Sequence, residues 1–324
     1  AGRRMASVDD YAQAENERLA KLKHEVREKL PAQLSEEELE AHFQHLTPRY
    51  FRAHSLQHIH IDLKQVNQFL KRVVDDTGTT TLEPVISWYD QSARGYSSVK
   101  VCTWERLGLF TTISGALAAA GLNILSARVF SRGDGIIIDT FSVVNTRTGG
   151  LAKRPERDAF KKWLNNALLP GDSPDFEQQI TALTKPRNVA EWELPTRIRI
   201  DTESAESRTI IEVESEDRLG LLHRISKVLT RHRLSIHVAR ISTEKGAAID
   251  TFYVRTATGK KPTDNALLQQ VQADLEAEIS RLAKVQGAST TDLYLSPELK
   301  QARDAAQAEA TQLGDEFVST EHLL

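Results

Sequence analysis

Two stretches of this 324-residue chain are nearly the same text. Glu105–Ile124 reads ERLGLFTTISGALAAAGLNI, and Asp217–Ile236, 112 positions later, reads DRLGLLHRISKVLTRHRLSI. Eleven positions from Arg106/Arg218 to Arg128/Arg240 are identical, and the tripeptide DTF recurs at Asp139 and Asp250. A duplication of this length obliges the chain to build one supersecondary unit twice.

The flanking sequence assigns the parts of that unit. SSVKVCTW (97–104) and RTIIEVES (208–215) alternate in polarity and predict a strand ahead of each quoted segment. Leu109, Ile113, Ala116, Leu117 and Ala120 then follow helical spacing, as do Leu221, Ile225, Val228 and Leu229. LNILSARVFS and GIIIDTFSVV predict two strands around a tight RGDG turn, and LSIHVARIST and AAIDTFYV repeat the hairpin around EKG. A second helix follows in each copy, with Pro155 at an early position in one and Thr263 as the cap of the other. PTRIRID (195–201) is a candidate closing strand for the first copy and equally a hairpin partner for RTIIEVE. With a closing strand each copy becomes βαββαβ, the ferredoxin-like arrangement.

Ahead of the repeats, residues 1 to about 75 read as helical. Ser7 is a start signal, and Ser35 with Glu38 forms a capping box. The expected fold class is therefore α+β: a helical connector over 1–93, repeats over 94–205 and 206–283, and a helical tail over 284–324.

Composition narrows the function classes. No apolar run approaches the roughly 20 residues of a membrane helix, and the charged opening AGRRMASVDDYAQAENERLAKLKHE has no signal-peptide pattern. The single cysteine, Cys102, suits a reducing compartment, so the expected location is the cytoplasm. A net charge of −3 gives no general attraction for nucleic acid or anionic lipid. Neither a nucleic-acid nor a membrane partner is expected.

Amphipathic packing accounts for the repeated leucines and isoleucines but not for a glycine at both strand-to-helix junctions. Gly108 and Gly220 admit two readings, a tight turn or a close approach of backbone to ligand. The first N–H groups of the helix that follows face an anion in the second case. His58, His60 and Asp62 are candidate metal ligands only on a strand; on a helix the same spacing spreads them apart. Asp139 and Asp250 are expected on the solvent side of their strands. No His-Asp dipeptide occurs, so no catalytic residue and no metal ligand is assigned.

A strand, then acidic-x-x-Gly-Leu, a helix, and a strand opening Asn123–Ile124 or Ser235–Ile236 resembles the ACT domain, a small-molecule sensing module. The resemblance implies amino-acid binding between paired domains at Glu105, Arg106, Gly108, Leu109 and Asn123, and at Asp217, Arg218, Gly220, Leu221 and Ser235. Leu107 and Leu219 stand where that family usually has proline before the glycine. Arg233 replaces the helix-ending Gly121, so the second copy's turn is expected to differ.

HFQHLTPRYFRAHS (42–55), the two repeats and ELPTRIRID (193–201), in that order, are similar to the C-terminal part of bifunctional protein-PII uridylyltransferases and uridylyl-removing enzymes. That resemblance implies a regulatory region that senses glutamine and acts on a PII signal protein through the full-length enzyme, with the units pairing within the chain or across a dimer. It places the family's nucleotidyltransferase and its Mg2+ upstream, so enzyme activity is left unassigned and no cofactor is expected in this chain. The alternative is a stand-alone tandem ACT protein that binds an amino acid and regulates a partner. From about Asp274 onward the sequence resembles part of the Clp-type disaggregase N-terminal domain, which also raises a chaperone-associated reading.

Overall fold

A computed structural model describes residues 8–75, 83–168, 174–184, 195–244 and 247–281. The Ser7 start signal, part of the EKG turn and the tail from 284 lie outside the described residues. The chain is a mixed α+β protein with an N-terminal helical segment and two four-stranded antiparallel sheets.

The described residues open with helices α1 (Val8–Glu28), α2 (Glu36–His45), α3 (Pro48–Ala53) and α4 (Leu56–Asp75). The capping box at α2 forms as the sequence predicts. Ser35 Oγ accepts from the Glu38 N–H at 3.2 Å, and the Glu38 carboxylate accepts from the Ser35 N–H at 2.7 Å. In α4, Ile59, Leu63, Val66 and Phe69 recur at helical spacing and are buried. His58, His60 and Asp62 all lie on this helix.

The first sheet contains β1 (Val85–Gln91), β2 (Tyr96–Trp104), β3 (Leu122–Arg128) and β4 (Ile136–Asn145), ordered β1-β2-β4-β3. The second contains β5 (Arg197–Asp201), β6 (Thr209–Glu216), β7 (Leu234–Glu244) and β8 (Ala247–Thr256), ordered β5-β6-β8-β7. Among the described residues the remaining helices are α5 (Leu109–Ala119), α6 (Arg154–Leu168), α7 (Phe176–Leu183), α8 (Leu221–Arg231) and α9 (Asn265–Ser280).

The outer strand next to β2, and likewise that next to β6, precedes its repeat rather than following it. Residues 197–201 therefore do not close the first copy; they pair antiparallel with β6, Ile200 opposite Ile211 and Ile198 opposite Val213. The short connection between β5 and β6 makes that hairpin the local solution. The cap of α9 is also one residue later than the sequence suggests, because Asp264, not Thr263, accepts the Ala266 N–H.

The chain divides into two compact units. One draws on residues 1–87, 100–106 and 128–140, the other on 88–99, 107–127 and 141–324. The first unit has an apolar core with a buried polar chain through it. Arg132 donates to His42 Nδ1 at 3.1 Å, which leaves His42 Nε2–H to face the Tyr50 hydroxyl at 3.1 Å. Tyr50 in turn donates to Asp62 at 2.7 Å, and Lys100 pairs with Asp62 as well. Burial, reinforced by Arg132, holds His42 well below the usual histidine range.

In the second unit α5 packs on α6, α7 and α8, and α8 on α9 and β7. The two duplicated helices thus meet face to face. Ser114 and Ser226, equivalent residues of the two copies, lie 3.4 Å apart, and the Thr111 and Thr230 hydroxyls 2.9 Å.

Candidate ligand-binding cleft

Gly108 and Gly220 are the N-caps of α5 and α8, with φ of 79° and 83°. Both need the left-handed conformation, so the tight-turn reading of these glycines holds on backbone grounds. A Cβ at Gly108 would lie 3.0 Å from Thr230 Cγ2, and one at Gly220 3.0 Å from Ile180 Cγ2. Their carbonyls accept the first intrahelical bonds, from Thr112 and Arg224 at 2.9 and 3.0 Å.

Ahead of α8 the two repeats build a cleft within the second unit. It is a small cleft that opens to solvent. Its walls include Asn123 and Ile124 from the start of β3, Asp217 to His223 without Leu219, and Ile241, Thr243, Ala248 and Asp250 from the β7–β8 hairpin. Asn123 Nδ2 donates to Asp217 Oδ2 at 2.9 Å, joining one copy's strand opening to the other copy's loop.

The cleft is acidic on one side. Burial pushes the Asp217 carboxyl up, while Asn123, the Arg218 N–H and the Thr243 hydroxyl pull it partly back. Asp250 is pushed further, first by burial and then by the nearby Asp217 charge. Arg218 Nη2 donates to Glu216 at 2.8 Å. His223 Nδ1 meets the Thr111 carbonyl at 2.9 Å, and burial lowers its proton affinity. No side chain caps α8, so its N-terminal end presents backbone dipoles to the same space. Carboxylates for a cationic nitrogen and a helix start for an anionic group together suit a zwitterion.

Of the ten sequence candidates, Asn123, Asp217, Arg218, Gly220 and Leu221 come together at this cleft. Gly108, Leu109 and Ser235 lie elsewhere in the same unit, while Glu105 and Arg106 are exposed residues of the other unit. Sequence reasoning misses Thr243 and Asp250. It places Asp139 and Asp250 on the solvent side, yet each is 2% exposed. The signal is present in the strand alternation, because Asp250 shares a face with buried Phe252 and Val254, and Asp139 with Phe141 and Val143.

Among the described residues no group of three or more His, Cys, Asp or Glu side chains could hold a metal ion. Among them, too, no helix is long and apolar enough to cross a membrane.

Residues 204–281 match the model described as the ACR family N-terminal ACT domain, and residues 263–324 match the Clp repeat (R) N-terminal domain. The overlap falls on α9, which here packs on α8 and β5. A bifunctional uridylyltransferase/uridylyl-removing enzyme from Rhodospirillum rubrum is 33% identical over 64% of this chain and 22% of its own length. Its counterpart from Azospirillum brasilense is 33% identical over 56% and 20%, and that from Novosphingobium aromaticivorans 31% over 70% and 24%. A crystal structure of aspartate kinase from Synechocystis aligns over 58% of this chain and 27% of its own, at 15% identity and a TM-score of 0.33. The chain thus spans about a fifth to a quarter of the curated relatives' length. Over more than half of its residues it is similar to one segment of the bifunctional uridylyltransferase/uridylyl-removing enzymes, with an ACT-domain match at 204–281.

Proposed function

We propose that this chain is the regulatory, amino-acid-sensing region of a protein-PII uridylyltransferase-like nitrogen-control protein, with glutamine as its ligand. The observation that carries the reading is the cleft where Asn123 of one repeat holds Asp217 of the other. These are positions at which ACT-like modules bind amino acids. The similarity to uridylyltransferase/uridylyl-removing enzymes supports the reading. In it a PII-type signal protein is the downstream partner, the location is cytoplasmic, and Mg2+ belongs to the catalytic domains of the full-length family. The two ACT-like repeats act as a pair, within one chain or across a dimer, between the helical connector and the Clp-like segment.

Titration calorimetry of the full chain with millimolar L-glutamine tests the reading. Saturable heat and a raised melting temperature are expected, and Asn123→Ala should weaken binding about tenfold, the worth of one hydrogen bond to a charged group. Absence of heat with wild-type protein would sink it.

A further inference from the structure

Asp250 belongs to none of the loop positions at which ACT-like modules take their ligands. It sits in mid-β8, opposite Val213 on β6 and Ile241 on β7, and lines the cleft beside Asp217. The residue is 2% exposed. The backbone N–H of Ser242 reaches its carboxyl, yet Oδ1 has no hydrogen-bond partner among the described residues. Native proteins seldom leave a buried acceptor unmatched, and such an atom in a cleft wall needs a donor from outside the chain or a proton of its own.

The groups around it define what that donor is. From the β6–α8 loop comes Asp217, a second carboxyl, and Arg218, whose Nη2 is turned to Glu216. From α8 comes His223, tied to the Thr111 carbonyl, and from β3 the amide of Asn123, whose Nδ2 is spent on Asp217. A ligand entering this wall meets the oxygens of two carboxyls.

We propose that Asp250 is the specificity-determining residue of the cleft, its Oδ1 accepting from the protonated amino group of the bound amino acid while Asp217 supplies the second negative charge. The inference rests on the amino-acid-sensing reading. Burial, and at Asp250 the neighbouring Asp217 charge, favour a protonated carboxyl when the cleft lacks a cation. When an ammonium group binds, that proton leaves the carboxyl for the solvent and the ammonium keeps its own. No bond to carbon or nitrogen changes.

Calorimetry of the full chain at about pH 7 decides the matter, with L-glutamine and with glutaramate, the same molecule without its amino group. The expected result is a glutamine heat that differs between phosphate and Tris buffers because a proton is released, and at least a roughly tenfold weaker response to glutaramate. Asp250→Asn, folded by circular dichroism, should bind glutamine roughly tenfold or more weakly and release no proton. Equal binding of glutamine by wild type and Asp250→Asn, or of glutamine and glutaramate by wild type, overturns the role of Asp250 and leaves amino-acid sensing standing. Failure of all the common amino acids to bind wild type overturns both. Should Asp250→Asn not fold, the buffer and glutaramate comparisons on wild-type protein still uphold or overturn the role of the carboxyl.

Discussion

At Arg233 the chain holds a backbone that Gly121 adopts without strain. Arg233 has φ of 54° and Gly121 of 75°, so the two copies end their helices alike, contrary to the expectation that the arginine would alter the turn. The cause lies in what the turn connects. The Arg233 N–H donates to Thr230 and its carbonyl accepts from Ala257, just as Gly121 bonds Ala118 and Thr146. The hairpin that follows needs that carbonyl, and the side chain bears the conformational cost. Arg233→Gly should therefore stabilise the chain by about 1 kcal/mol, read as a higher urea midpoint with unchanged slope. The same scale shows where sequence reasoning fails. Residue type alone sends Asp139 and Asp250 to solvent, although the two-residue period sets them beside Phe141 and Phe252.

Elements are legible where a local pattern dictates them: the Ser35 capping box, the apolar stripe of α4, and the paired strand-helix-hairpin units of the repeats. The partner of β5 is not legible in this way, because a strand of five residues carries no sign of which sheet it joins. Nor does either repeat alone announce that α5 and α8 pack together. The sequence trace of that contact is Gly115, which answers to Lys227 in the second copy. A Cβ at Gly115 would come within 2.6 Å of Phe176 Cδ2 and 2.7 Å of His223 Nδ1. Neither ring can retreat easily, for His223 is held by the Thr111 carbonyl and Phe176 is buried. Gly115→Ala should thus destabilise by about 1–3 kcal/mol in denaturant, although alanine is the better helix former by about 1 kcal/mol. A stabilised variant would show that the interhelical contact is looser than these distances require. The cleft depends on this packing, since Asn123 follows α5 and Asp217 precedes α8.

For the molecule as a whole, buried groups that titrate on opposite sides of neutrality set how stability varies with pH. His42 is buried and held neutral, so its folded proton affinity lies below the ordinary value near 6.5. Its contribution is complete above about pH 6.5 and is lost as pH falls, because the unfolded chain then binds a proton that the folded chain refuses. Asp139 has the reverse sign. Burial raises its carboxyl to about 8, against the pull of the Phe130 N–H at 3.2 Å and with a push from Glu105. Its contribution is complete below about pH 4 and is lost as pH rises, because the unfolded carboxyl has already ionised. As pH falls below about 6.5 the two slopes oppose each other, His42 costing stability while Asp139 restores it. From there to about 8 only Asp139 of the pair still changes, at about 1.4 kcal/mol per pH unit, or about 2 kcal/mol in all. Asp139→Asn keeps an acceptor for the Phe130 N–H and has nothing to ionise. Urea unfolding at pH 6.5 and 8 should show the variant gaining about 2 kcal/mol on wild type over that interval. A constant difference between the two proteins would mean that Asp139 is already ionised in the folded chain at pH 6.5. Asp217 and Asp250, shifted in the same direction, leave part of the alkaline loss in the variant. A ligand whose ammonium meets Asp250 should diminish that remainder, because it favours the ionised form that burial alone opposes.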